Sequence, residues 1–98
     1  MKIAYSELNE THRMVAKLAM QRLGPIPHLD TLMESWLAMG QLVVEPADDG
    51  FYLEQSSPAK RICHYTTATR KIVWYVGLFQ WRALKDQQIQ VITELPPA

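Results

Sequence analysis

Ninety-eight residues, 48% of them hydrophobic and 20% charged, make one domain spanning 1–98 that can bury a core without staples. That composition excludes a disordered chain, and the absence of any apolar run of about 18 residues excludes a transmembrane helix. The first residues lack the apolar stretch of a secretory leader, and the one cysteine, Cys63, cannot form an internal disulfide. The expectation is a soluble, cytoplasmic protein.

Ten basic residues balance ten acidic ones, but unevenly along the chain. Residues 23–59 hold six acids and no Lys or Arg, whereas residues 60–85 hold six bases and no Asp or Glu. Such segregation either steers a charged partner or lets opposite halves pair across a sheet.

Ser6 or Asn9 can cap a first helix. Leu8, Val15, Leu18, Ala19 and Leu23 repeat at helical spacing, opposite Glu10, Arg13, Lys17 and Gln21. Gly24 and Pro25 stop it. Pro27 suits the first turn of a second helix, in which Leu29, Leu32, Met33, Trp36 and Leu37 form an apolar stripe that ends at Gly40. Strand patterning then begins. Residues 41–45 and 51–54 flank Asp49-Gly50, a hairpin signal. Residues 55–59 read as a loop, 61–66 and 71–79 as strands joined by a tight turn at 67–70, and 88–93 as a last strand. Residues 81–84 fit strand continuation or a helical turn equally.

The 71–79 run is apolar at both even and odd positions, which marks a central strand covered on two sides. Helices followed by strands predict an α+β fold: two N-terminal helices packed on a four- to five-stranded antiparallel meander sheet. The helices should cover one face. The second face should carry Val73, Tyr75 and Phe79, with Cys63 and Tyr65 if the strands align that way. A contiguous apolar patch there marks a partner surface.

Catalytic chemistry is sparse. His12, His28 and His64 are scattered, without zinc-ligand spacing, and no phosphate loop or nucleophile motif is present. Cys63 and His64 are adjacent on a strand, so they point to opposite faces. Asp48-Asp49 is most simply turn chemistry. No metal site and no cofactor are expected. The least generic feature is a basic stretch with interleaved aromatics: Lys60, Arg61, Tyr65, Arg70, Lys71, Trp74, Tyr75, Trp81, Arg82 and Lys85. Those types supply phosphate contacts and stacking to RNA, or cross-strand pairs in an ordinary sheet.

The segment 60–73, followed by Leu78-Phe79, resembles the sheet of RelE/HigB-type toxins, in which an arginine-bearing strand, a short turn and an apolar strand precede a phenylalanine and basic residues. The resemblance covers residues 50–90 and implies ribosome-linked mRNA cleavage, with Arg61, Tyr65, Arg70 and Arg82 at the matching positions. Gln80-Trp81 stands where the family carries a lysine pair, and this chain is neutral where such toxins are basic.

The function expected first is a small non-enzymatic module. It binds a macromolecule, a protein or a second copy of itself, through the exposed sheet face or charged edge formed by Lys60, Arg61, Tyr65, Arg70, Lys71, Tyr75, Trp81, Arg82 and Lys85. Two alternatives stand beside it: a RelE-like ribonuclease toxin, and a small inhibitor of a host nucleic-acid machine of the kind mobile elements encode. RNA is a candidate partner; a membrane and a small-molecule cofactor are not.

Overall fold

The computed structural model describes residues 1–75 and 91–95. They contain a 3-10 turn at Tyr5–Glu7, then α1 (Glu10–Gln21) and α2 (Leu29–Ala38). The strands follow: β1 (Leu42–Ala47), β2 (Gly50–Ser56), β3 (Ala59–Thr66), β4 (Lys71–Trp74) and β5 (Val91–Glu94). All neighbouring strands pair antiparallel in the order β1-β2-β3-β4-β5. The expected α+β fold, two helices ahead of a meander, is the fold observed. No described helix is long and apolar enough to cross a membrane.

Asn9 caps α1, and the helix stops before Gly24, whose φ of 110° is open to glycine without strain. The buried stripe is rotated from the expected one. Val15, Ala16, Ala19 and Met20 are buried, while Leu23 is 44% exposed. Ala16 and Ala19 end at Cβ and let the helix sit close to the sheet, an advantage that counting large apolar residues does not see. Arg13 Nε meets Glu34 Oε1 at 2.5 Å and Lys17 Nζ meets Asp30 Oδ1 at 3.1 Å, tying α1 to α2.

α2 starts after Pro27, because His28 takes a left-handed φ of 55° and turns the chain there. Met33 and Leu37 are buried, and Leu29, Leu32 and Trp36 pack half-buried against the core. α2 lies against α1 and β1.

The assignment of the 71–79 run as the central strand is corrected. Among the described strands it forms β4 over Lys71–Trp74, paired on both sides, and β3 is the middle one. Residues 76–79, the 81–84 segment and the start of the expected last strand, 88–90, lie outside the described residues. The first hairpin is tighter than the sequence suggested: Ala47 pairs with Gly50 across a turn at Asp48-Asp49. Pro46 fits within β1 because that strand is the first in the sheet, where a missing N–H costs no ladder bond on the outer side. A Cβ at Gly50 would lie 2.0 Å from the Tyr65 carbonyl oxygen, so close strand approach demands glycine there. The expected 55–59 loop contracts to a turn at Ser57-Pro58.

One core joins the helices to one sheet face. Leu42, Val44, Phe51, Leu53, Ile62, Cys63, Tyr65, Ile72 and Trp74 pack with Val15, Ala19, Met20, Met33 and Leu37. α1 reaches from β2 to β4. His12 meets the Phe51 ring edge-on at 4.8 Å, and the Arg22 guanidinium sits 4.8 Å from the Trp74 ring centre. Cys63 pairs with Trp74 and Tyr65 with Ile72, so both lie on the helix-covered face and not with Val73 and Tyr75.

Candidate functional site

The face opposite the helices is set by a bulge. Leu53 pairs with Cys63, but the next residue, Glu54, pairs with Arg61, which leaves Ile62 as the extra residue of β3. An extra residue resets the inward–outward alternation. Ile62 and Cys63 therefore both point inward and are 1% and 0% exposed. Arg61 and His64, three positions apart, both point outward. Without the bulge they would lie on opposite faces.

Between them stands Tyr52, also outward. His64 is its direct cross-strand partner, with ring centres 4.5 Å apart at 30°. The Arg61 guanidinium carbon lies 3.7 Å from the Tyr52 ring centre. Two groups at stacking distance cannot share one side of a ring, so Tyr52 is held between them. Both outer members are anchored by acids: Arg61 Nε donates to Glu54 Oε2 at 3.2 Å, and His64 Nε2 lies 2.8 Å from Asp49 Oδ1. The ladder reads Glu54, Arg61, Tyr52, His64, Asp49. Guanidinium–aromatic and stacked pairs of this kind contribute about 0.5–1 kcal/mol each. Val43, Val73 and Tyr75 flank it, all half-buried. Burial, more than the nearby Tyr52, pushes the Tyr75 hydroxyl above its ordinary value.

An open cleft of ≈ 510 Å³ lies at the Arg61 end, lined by Lys2, Val43, Glu54, Gln55, Ser56, Ala59, Lys60 and Arg61. Lys2 is placed by the N-terminal segment. The Ile3 N–H donates to the Val44 carbonyl at 2.8 Å, and the terminal ammonium meets Glu45.

The structure divides the residues picked from the sequence. Arg61, Lys71 and Tyr75 belong to the outer face; Lys71 is exposed and the other two half-exposed. Tyr65 is buried at 2% exposure on the helix-covered side, and Lys60 is buried at 5% in the wall of the cleft. Arg70 turns back to Tyr65, Nη1 to hydroxyl at 3.5 Å. Trp81, Arg82 and Lys85 lie outside the described residues. Of the toxin-like set, the structure brings Tyr65 and Arg70 together and puts Arg61 on the other face.

Lys60 stands apart. Its Nζ is buried and has no hydrogen-bond partner among the described residues. Desolvation pulls its ammonium below the ordinary lysine range. Cys63 is shut in the core, where burial pushes its thiol up to about 12, so no thiolate nucleophile forms near neutral pH. Its neighbour His64 faces away from it. No three His, Cys, Asp or Glu side chains among the described residues are grouped to hold a metal ion.

Sequence reasoning missed Tyr52, His64, Glu54 and Asp49 as one constellation. The available signal was Ile62-Cys63, two successive apolar residues in an alternating strand, which is the mark of a bulge. The chain matches no protein-family model, no curated protein and no solved structure.

Proposed function

We propose that this protein is a non-enzymatic α+β interaction module that binds a protein partner through the sheet face opposite its helices. The observation that carries this is the fixed Arg61–Tyr52–His64 stack on that face. Tyr and Arg are enriched among residues that dominate binding, and a pre-ordered side chain loses little entropy on contact. Val43, Val73 and Tyr75 supply apolar area around it. The same stack argues against RNA as the first partner. Tyr52 already has both ring sides filled, Tyr65 is buried, and neither offers a free surface for a base to stack on.

A photo-crosslinking amino acid at Val73, compared with one at Thr31 on the exposed side of α2, tests the proposal in the native host. The expected result is one discrete protein adduct from position 73 and none from position 31. A second copy of the chain as the adduct makes the partner a homodimer. RNA adducts, or growth arrest relieved by Arg61→Ala, would replace the proposal with the ribonuclease-toxin alternative. A replication or transcription protein as the adduct would give it the form of a small inhibitor of nucleic-acid machinery.

A further inference from the structure

α1 opens with a reciprocal pair of hydrogen bonds in which a histidine stands where glutamate or glutamine is usual. The His12 N–H donates to Asn9 Oδ1 at 2.9 Å, and the Asn9 N–H donates to His12 Nδ1 at 3.0 Å. The second bond needs a lone pair on Nδ1, so the ring is neutral with its proton on Nε2. The side chain is 9% exposed and packs edge-on against Phe51 of β2. We infer that His12 is an acid-sensitive latch, which holds the first turn of α1 against β2 while neutral and releases it when protonated.

Three effects act in the same direction. Protonation turns the Nδ1 acceptor into a donor facing another donor. It places a charge among apolar groups. It sets a cation at a helix N-terminus, where the backbone dipole already presents positive charge. On the same helix Glu10 stands two positions before the ring in the first turn and Arg13 is adjacent to it; burial first, and then the Arg13 charge, hold the ring below its ordinary value. From the sheet, the ring meets Phe51; behind that lies Tyr65, with Arg70 at its hydroxyl. No carboxylate among the described residues is placed to offset the charge; Glu34 is taken up by Tyr5 and Arg13. The latch sits where the segment lying along β1 enters α1, so opening it loosens Leu8 and the Ile3–Val44 contact. It is independent of the proposed binding face.

Nitrogen-15 NMR of the full chain across pH 4.5–8 tests it. The expected spectrum at neutral pH shows His12 with Nδ1 unprotonated and a titration midpoint below about 6.5. Amide protection factors at His12 and Arg13 should fall by up to about tenfold per pH unit below pH 6.5, while those of β2 and β3 hold. His12→Gln keeps an acceptor at that position without a proton to gain, and should abolish the fall. A proton on Nδ1 at neutral pH, an ordinary midpoint with unchanged protection, or a fall that persists in His12→Gln would overturn the inference.

Discussion

The two faces of this sheet are held by different physics. On the helix side, nine strand residues share one core with the helices, and no single pair defines it. Burial is non-directional, so the face needs apolar volume more than exact geometry. On the other side the contacts are pairwise and oriented: a guanidinium 3.7 Å from a ring centre, a second ring at 4.5 Å, an acid at each end. Such a face contributes little to folding and much to the shape it presents. One residue, Ile62, governs the division, because its insertion decides which of Arg61, Cys63 and His64 face which way.

The largest expected break is Trp74→Ala. The side chain is 2% exposed, packs beside Cys63 and lies under Arg22. Removing it should cost about 3–5 kcal/mol in denaturant unfolding. The alkaline limb of stability comes next. The Cys63 thiol is raised to about 12 in the fold, against an ordinary value of 9.0. Between those values the unfolded chain has lost its proton and the folded one has kept it. Stability should therefore fall with rising pH, at about 1.4 kcal/mol per unit. Cys63→Ala should remove that fall, read from unfolding curves at pH 9 and 10.5.

Lys60→Met sharpens the comparison from the core side. It removes a buried ammonium that has no hydrogen-bond partner among the described residues, and it should stabilise the protein by about 1–3 kcal/mol at neutral pH. The folded-state ammonium is held below 10.5. It therefore contributes a rise in stability with pH as it deprotonates, opposing the Cys63 effect, and that rise should vanish in the variant. The smallest effect belongs to the outer face. Arg61→Ala should cost about 0.5–1 kcal/mol, since the side chain is 41% exposed and its contacts are partly screened.

The sequence made the element order legible because helix stripes and Gly-Pro breaks are local signals. It also made the turn at 67–70 and the opposed directions of Cys63 and His64 legible. Strand order was less so. Apolar residues on both sides of the 71–79 run suggested the centre of the sheet, but pairing depends on register, which no single segment records. The site was legible in part. Arg61, Lys71 and Tyr75 stood out by type and do share the outer face. Tyr65 and Lys60 stand out for the same reason and are buried: residue type carries no record of the bulge at Ile62, which turns both positions inward although five positions separate them. Tyr52 attracted no notice because its role arises from two side chains on another strand. His12 looked like one of three scattered histidines, since its lone pair matters only once Asn9 becomes the helix cap.

Val43 and Val44 are neighbours in β1 and point to opposite faces, so replacing each with aspartate tests the division most directly. Val44 is 0% exposed, and Val44→Asp should abolish cooperative folding or cost more than about 4 kcal/mol. Val43→Asp should cost less than about 1 kcal/mol, while eliminating the protein adduct formed from a crosslinker at Val73. Equal destabilisation by the two substitutions, or a Val43→Asp protein that still forms the adduct, would contradict a sheet with one face for folding and one for binding.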